Sequence, residues 1–122
     1  MTPPVRLLID GELVVGEGAL DDVHEPATGR CWVQVPAASA AQLDRAIAAA
    51  ERAFPAWREV PPVERSRRLL ELAARLESRR DDFAALESRN AGKPLAGFLR
   101  DEWPQIVDTF RFFAGAGRCI PG

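Results

Sequence analysis

The sequence predicts an α/β chain, or α+β when it is taken as an isolated piece, with β-hairpins over residues 5–36 followed by about four helices over residues 39–117. Two observations predict this order. Short apolar runs separated by turn residues fill the first third of the chain, whereas apolar residues recur at helical spacing in the remainder. We find no internal repeat, low-complexity tract or linker, so residues 1–122 are interpreted as one domain or one piece of a domain.

Two hairpins account for the predicted strands. Asp10-Gly11 separates two apolar runs, and a type I′ turn needs positive φ at both of its central positions. Pro26-Ala27-Thr28-Gly29 separates a second pair of runs, because proline fixes φ and glycine adopts left-handed φ freely. Between the hairpins, Gly16-Glu17-Gly18 lacks the third glycine and the following helix of a dinucleotide-binding loop, so it is interpreted as a turn.

The first helix is predicted by a capping box and an apolar stripe. The Ser39 side chain can accept a hydrogen bond from the backbone N–H of Gln42, and the Gln42 side chain can accept one from the backbone N–H of Ser39. Apolar residues then follow at helical spacing: Leu43, Ala46, Ile47, Ala50 and Phe54. Pro55 and the pair Pro61-Pro62 are expected to mark the end of this helix and the start of the next.

A second helical stretch is predicted to extend to about Arg89. One of its faces is apolar, and the same spacing continues along the chain: Leu69, Leu72, Ala73 and Leu76, then Phe83 and Leu86. Gly92 and Pro94 stop it, because glycine suits the left-handed position after a helix and proline cannot continue one. The last helix carries large apolar residues on more than one side, since Phe112 lies off its main stripe. That helix either completes a local core or presents a surface that awaits more protein.

Composition excludes several classes of function. The chain has 47% hydrophobic and 28% charged residues and a formal net charge of −2, so it has no basic excess for binding nucleic acid. No apolar run approaches the ~20 residues of a membrane span, and Met1 to Arg6 do not resemble a secretory signal, which predicts a cytoplasmic location. Cys31 and Cys119 match no metal or disulfide spacing, which predicts reduced thiols.

Individual residues give weak signals of chemistry. His24 is the only histidine, and it cannot be paired with a nucleophile from the sequence. Gly92-Lys93 lacks the remaining residues of a phosphate-binding loop, because Glu87 and Pro94 stand where that loop needs glycine and Ser or Thr. Cys31 and Cys119 are interpreted as structural rather than catalytic.

Several segments, in order, resemble the N-terminal region of the NAD(P)-dependent aldehyde dehydrogenase superfamily. Glu25–Gly29 is similar to its Asn-Pro-Ala-Thr-Gly turn, with glutamate in place of asparagine. Asn90–Leu95 is similar to its Asp-Thr-Gly-Lys-Pro-Leu segment. The further matching segments are Leu8–Glu12, Val35–Pro36, Leu43–Ala50, Ala53–Trp57 and Pro62–Arg65.

The resemblance extends from about Leu7 to Gly122. The closing segment, Phe110–Cys119, is most similar to the gamma-aminobutyraldehyde and betaine-aldehyde dehydrogenase branch. The resemblance implies that these strands and helices form the outer part of the family's cofactor-binding domain. It also implies a family reaction in which an aldehyde, for this branch an aminoaldehyde, is oxidised to the acid.

In that reaction a cysteine thiolate attacks the aldehyde, a hydride passes to NAD or NADP, and a glutamate activates water to hydrolyse the thioester. An asparagine side chain and a backbone N–H stabilise the oxyanion. The motifs for these groups are expected beyond Gly122, and neither Cys31 nor Cys119 matches the motif of the nucleophile. We therefore assign no catalytic and no cofactor-binding residue, and expect neither NAD nor NADP to bind this chain alone.

One minor site carries over by resemblance. Some relatives bind a monovalent cation through backbone carbonyls just before the Asn-Pro turn and through the aspartate before Thr-Gly-Lys. The matching positions here are Val23, His24 and Asn90. Asparagine in place of aspartate removes a charge from this set of oxygen ligands, and an ordinary helix end at Asn90 is the alternative.

Two hypotheses follow for function. The first is a truncated or partial aldehyde dehydrogenase, inactive alone, whose partner is the missing remainder of the enzyme or a homologous subunit. The second is a stand-alone helical binding module that associates with a full-length dehydrogenase or another apolar surface. The residues here do not specify the aldehyde, the choice between NAD and NADP, or the oligomeric state.

Overall fold

The computed structural model describes residues 5–119. They divide into two compact units, which we call the N-terminal unit (up to residue 59) and the C-terminal unit (from residue 60). Four short strands come first along the chain and the helices follow, which confirms the predicted α/β order. The first helix belongs to the same unit as the hairpins, so the division falls later than the predicted change from strand to helix.

The first hairpin pairs β1 (Leu7–Ile9) with β2 (Glu12–Val14) in an antiparallel ladder. Its turn residues Asp10 and Gly11 have φ of 54° and 81°, as the type I′ prediction requires. Ile9 is the buried residue of this hairpin. Local turn chemistry therefore sets the register of this pair.

The second hairpin pairs β3 (Leu20–Glu25) with β4 (Arg30–Pro36) and forms a separate two-stranded sheet. The carbonyl of Glu25 accepts hydrogen bonds from the backbone N–H groups of Thr28 and Gly29, and Gly29 has φ of 65°. This confirms the turn predicted at Pro26–Gly29. The ladder is irregular between Val23 and His24.

Helix α1 (Ala40–Arg58) begins with the predicted capping box: the side chains of Ser39 and Gln42 each accept a hydrogen bond from the backbone N–H of the other residue. The expectation that Pro55 marks the end of α1 is wrong, since the helix continues through Pro55 to Arg58. Proline fits helical φ, but it removes the N–H that would bond to the carbonyl of Glu51 and its ring pushes that carbonyl outward. Both residues are exposed, so water can serve that carbonyl.

The second predicted helical stretch is two helices, α2 (Pro62–Ser78) and α3 (Arg80–Ala91). The break lies at Arg79, whose φ of −117° and ψ of 20° leave the helical region. Acidic Asp81 and Asp82 fill the first turn of α3, where the positive end of the helix dipole favours them. Because apolar spacing continues across the break, hydrophobic periodicity alone does not reveal it.

Gly92 ends α3 in the left-handed conformation, with φ of 71°, as predicted. A short helical turn, α4 (Leu95–Gly97), then leads into a π-helical turn (Phe98–Glu102) and into α5 (Trp103–Ala116). The wider π turn was not predicted from the sequence. It precedes the helix that carries the large aromatic residues.

The core of the C-terminal unit is built around Trp103, which is 6% exposed. Its ring lies 5.9 Å from the ring of Phe83 and 6.0 Å from that of Phe98, centroid to centroid. The buried cluster contains Ala73, Ala84, Phe98, Trp103 and Val107. Two small residues on α2 and α3 thus make room for the aromatic rings.

Lowering the pH is expected to remove a stabilising contribution of Glu64 in α2. Arg67 donates hydrogen bonds of 2.9 and 2.6 Å to the Glu64 carboxylate, and these bonds with nearby positive charge lower its pKa below the ordinary value of 4.5. A carboxyl group whose pKa is lowered by folding stabilises the folded protein at pH values above its pKa in the unfolded chain. This stabilisation is lost as the pH falls through the pKa that the group has in the folded protein.

Melting temperatures measured from neutral pH down to about pH 3 check this expectation. Glu64→Gln should lower the melting temperature at neutral pH, and the difference from the unmodified chain should shrink in acid. Glu51→Gln, at an exposed position of α1, serves as the control and should follow the unmodified chain. A Glu64→Gln difference that stays constant across the range would contradict the assignment.

Candidate functional site

The Gly16–Gly18 segment is a close crossing of backbones. A Cβ added at Gly16 would lie 2.2 Å from the carbonyl oxygen of Pro36, and one at Gly18 would lie 2.9 Å from that of Ala37. The backbone N–H of Gly18 donates to the carbonyl of Ala37 at 2.8 Å. Glycine is needed here because any side chain would meet backbone that cannot yield easily.

Gln42 fixes this crossing from α1 and is only 1% exposed. Its Nε2 donates to the Val15 carbonyl at 2.8 Å. Its Oε1 accepts from the N–H groups of Glu17 at 2.9 Å and Ser39 at 3.1 Å. One buried side chain therefore joins the segment between the hairpins to the start of α1 by three hydrogen bonds.

A dinucleotide phosphate does not fit this junction. The glycines face the carbonyl oxygens of Pro36 and Ala37, which repel an anion. At the start of α1, Ser39 Oγ donates to the Glu17 carboxylate at 3.0 Å, so a negative side chain already lies beside the N-terminal end of the helix. The residues of Gly16–Gly18 therefore do not fit NAD or NADP, in agreement with their interpretation as a turn-like connection.

The strand register brings His24 and Cys31 together, a pairing that the sequence analysis missed. Glu25 faces Arg30 at the turn, and the next pair outward is His24 opposite Cys31. The turn at Pro26–Gly29 could have indicated this pairing in the sequence, because a turn fixes the register of the two strands that it joins. Both side chains are exposed, and the Cys31 thiol lies 3.6 Å from the carbonyl oxygen of Val33. The two residues form a surface pair rather than an enclosed site.

Cys119 lies just after α5, with its thiol 3.7 Å from the Gly115 carbonyl oxygen. Cys31 and Cys119 are both free and exposed. Two exposed thiols bonded only to backbone carbonyls resemble ordinary surface cysteines more than activated nucleophiles.

The predicted cation ligands are distributed over both units. Val23 and His24 lie on β3, next to the irregularity in its ladder, whereas Asn90 is exposed in the last turn of α3. Within residues 5–119, no group of three or more His, Cys, Asp or Glu side chains is placed to hold a metal ion. A site built from carbonyl oxygens at these three positions stays a prediction.

Lys93 is the centre of an ion cluster in the C-terminal unit. Its Nζ lies 2.9 Å from Glu87, 2.5 Å from Glu102 and 5.6 Å from the centre of the Phe98 ring. The hydrogen bonds that Lys93 donates to the carboxylates of Glu102 first and then Glu87 raise the pKa of Lys93. The cluster ties the end of α3 to the π-helical turn, so this lysine is engaged by carboxylates rather than free to bind phosphate.

Beside this cluster is a groove of about 300 Å³. Its apolar lining residues come from α2, α3, the π-helical turn and α5, and they are Leu72, Leu76, Phe83, Phe98, Trp103, Ile106 and Phe110. On another side of α5, Phe112 and Phe113 are 65% and 57% exposed. The last helix thus contributes to a local core and also presents uncovered aromatic rings.

Exposed apolar surface is the most distinctive feature of the described chain. Within residues 5–119, 17 large hydrophobic side chains are exposed, against eight hydrophobic residues that are buried. So many exposed large apolar side chains are typical of a surface that contacts further protein.

The fold and these surfaces define the chain as an α/β segment with exposed apolar faces. The Aldehyde dehydrogenase family pattern matches residues 16–122. The chain therefore belongs to the aldehyde dehydrogenase family, as the resemblance implied.

Individual relatives agree with this assignment. The chain is 37% identical over 108 residues to 2-aminomuconic semialdehyde dehydrogenase of Homo sapiens, a match that covers 88% of this chain and 22% of that protein. PnpE, whose crystal structure contains nicotinamide adenine dinucleotide, superimposes with a TM-score of 0.90 and 41% identity, covering 96% of this chain and 24% of PnpE.

Another solved structure is similar to the chain over almost its full length. Gamma-glutamyl-gamma-aminobutyraldehyde dehydrogenase from Burkholderia cenocepacia J2315 superimposes with a TM-score of 0.88 and 32% identity, covering 96% of this chain and 24% of that one. The chain thus spans about a quarter of the length of the relatives it matches, and it corresponds to an N-terminal fragment of an aldehyde dehydrogenase. In the part of the chain that the structure describes, no helix has the length and apolar character to cross a membrane.

Proposed function

We propose that this chain supplies the N-terminal scaffold of a cytoplasmic NAD(P)-dependent aldehyde dehydrogenase and that residues outside it perform the chemistry. The observation that carries the proposal is the combination of family membership with coverage of only about a quarter of each relative. The large exposed apolar surface supports it, because such surface is normally buried against further protein.

In this proposal the chain alone binds neither the nicotinamide cofactor nor the aldehyde. The Gln42 junction and the Trp103 core hold two preformed units, which the remainder of a dehydrogenase or a homologous subunit covers. The nicotinamide cofactor and the aldehyde then bind to groups of that partner. Aldehydes that carry an amino group are the expected substrate class, on the similarity of Phe110–Cys119 to the aminoaldehyde branch.

The purified chain is expected to form no NADH above background when it is mixed with NAD or NADP and a panel of aldehydes that includes aminobutyraldehyde. The physical reason is that oxidation needs a thiolate, an oxyanion donor and a bound nicotinamide in one place. Absorbance of the reduced cofactor measures the reaction, and full-length 2-aminomuconic semialdehyde dehydrogenase serves as a working control. NADH formation that Cys31→Ser or Cys119→Ser abolishes would overturn the proposal.

The exposed aromatic rings of α5 favour a second candidate, a stand-alone module that binds a full-length dehydrogenase or another apolar surface. Phe112 and Phe113 pack edge to face, 5.3 Å apart, and would serve such a module as a preformed contact. Size-exclusion chromatography with light scattering separates the candidates. A folded species with one defined stoichiometry favours the module, whereas loose association or aggregation of the chain alone favours the scaffold.

A further inference from the structure

The second hairpin holds the imidazole of His24 directly opposite the thiol of Cys31. Side chains of opposite residues in an antiparallel pair share one face of the sheet, with Cβ atoms about 4.5–5.5 Å apart. Both residues are exposed. Among residues 5–119, the His24 side chain forms no hydrogen bond and no ion pair, so its ring nitrogens are available to a ligand.

The irregularity in the ladder keeps this pair on the exposed face of the hairpin. Trp32 lies between Cys31 and Val33 and has no opposite residue on β3. An extra residue of this kind bends the strand and re-aims the side chains beside it. Trp32 and Val33 are half-buried, whereas His24 and Cys31 are exposed. The hairpin therefore presents an imidazole and a thiol together to solvent.

An imidazole and a thiol side by side form half of a zinc site. Zinc binds thiolate sulfur at about 2.3 Å and imidazole nitrogen at about 2.0–2.1 Å, and its structural sites hold four such ligands in a tetrahedron. These bond lengths place sulfur and nitrogen about 3.6 Å apart, a separation that a cross-strand pair reaches by side-chain rotation. The Cys31 thiol makes a long contact of 3.6 Å to the Val33 carbonyl oxygen, and a bond this weak is given up at little cost.

An exposed thiol needs no prior activation for this role, because the metal itself deprotonates a thiol that coordinates to it. The S–H bond breaks, a zinc–sulfur bond forms, and the proton passes to solvent, so no oxidant or reductant takes part. Asp22 precedes His24 by two residues on β3 and lies on the same face. Its carboxylate accepts a hydrogen bond of 2.8 Å from Gln34 and adds negative charge that attracts a divalent cation.

One chain supplies too few ligands for a closed zinc site. Within the described residues, 5–119, no group of three or more His, Cys, Asp or Glu side chains is placed to hold a metal ion. A second copy related by a two-fold axis presents the same pair. Two copies together give the two sulfurs and two nitrogens of a tetrahedral site, and the charges of the two thiolates balance that of the zinc ion.

We propose that the side chains of His24 and Cys31 bind zinc, and that one zinc ion joins two copies of this chain through the exposed faces of their second hairpins. This site differs from the monovalent cation site that the resemblance implied, which uses backbone carbonyl oxygens at Val23 and His24. It goes beyond the proposed function and does not depend on it, since neither the nicotinamide cofactor nor the aldehyde takes part.

Titration with cobalt(II), which occupies zinc sites and absorbs light, tests the ligands in the full chain, freed of metal and kept reduced with a phosphine. A near-ultraviolet sulfur-to-cobalt charge-transfer band is expected to saturate at one cobalt per two chains, and zinc should displace it. Cys31→Ser should abolish the band, and His24→Gln should weaken cobalt binding at least about tenfold, because each removes two of the four ligands. Cys119→Ser removes the other exposed thiol and should change neither the band nor the stoichiometry.

Size-exclusion chromatography with light scattering tests the association. Zinc should double the molar mass of the metal-free chain and of Cys119→Ser, EDTA should reverse the change, and Cys31→Ser and His24→Gln should keep the mass of the metal-free chain. Far-UV circular dichroism should be the same for all variants, because the substituted positions are exposed. Saturation at one cobalt per chain, a band that survives Cys31→Ser or is lost in Cys119→Ser, or a mass that zinc does not raise would each overturn the proposal.

Discussion

Gly16→Ala is expected to destabilise the N-terminal unit by about 3 kcal/mol, which is most of the stability of a unit this small. The added Cβ would lie 2.2 Å from the carbonyl oxygen of Pro36 and 2.4 Å from that of Ala37. Both obstacles are backbone, so the crossing must open, and the hydrogen bonds of Gln42 must lengthen with it. Hydrogen exchange of the hairpin amides, together with urea denaturation followed by circular dichroism, measures the loss.

Gly97→Ala is the matched control, because nothing lies within 4 Å of a Cβ added there. This glycine is in the helical turn α4, where alanine is favoured by up to about 1 kcal/mol. The same substitution should thus destabilise the protein at one site and stabilise it at the other. Similar effects at both sites would show that the Gly16 crossing is looser than the structure indicates.

Gln42→Ala is expected to cost about 3 kcal/mol, because it leaves three partly buried backbone groups without their partner. These are the carbonyl of Val15 and the N–H groups of Glu17 and Ser39. The capping box also loses one of its two hydrogen bonds, so the start of α1 should fray. Urea denaturation gives the free energy of unfolding, and hydrogen exchange at Glu17 and Ser39 reports the lost bonds directly.

Gln34→Ala provides the comparison for Gln42→Ala. Gln34 is exposed and donates one hydrogen bond, of 2.8 Å, to Asp22 across the hairpin. Water can replace this bond, so the expected cost is below about 1 kcal/mol. If the two alanine variants were equally stable, Gln42 would not be the junction of the N-terminal unit.

Features that depend on neighbouring residues were predictable from the sequence. Asp10-Gly11, the Ser39 capping box and the left-handed Gly92 were each placed correctly, because each satisfies a backbone requirement within a few residues. Membership of the aldehyde dehydrogenase family was also readable, since short segments such as Glu25–Gly29 occur in the family's order.

Features that depend on distant residues were not predictable in this way. The apolar spacing of α2 runs into α3 without interruption, so the break at Arg79 depends on how the two helices pack around Trp103. Pro55 is tolerated inside α1 because the carbonyl it leaves unbonded is exposed. The pairing of His24 with Cys31 follows from strand register, which a list of motifs does not give.

The candidate sites divide in the same way. The sequence indicated which family the chain belongs to and that none of its residues matches the family's catalytic motifs. The carbonyl positions Val23, His24 and Asn90 remain a prediction. The spacing does not predict which apolar residues are buried and which are exposed, because Leu43 and Ile47 have the same periodicity as residues that face a core.

The sequence by itself determined the order of strands and helices, the turns, the caps and the family, because these depend on residue types and short spacings. Only the tertiary structure decided that Gln42 is buried, that Gly16 lies against the backbone of Pro36, and that the large apolar side chains along α1 are exposed, namely Leu43, Ile47, Phe54 and Trp57. The physical reason is that burial depends on which surfaces meet in space, and contacts between residues far apart in the chain decide that.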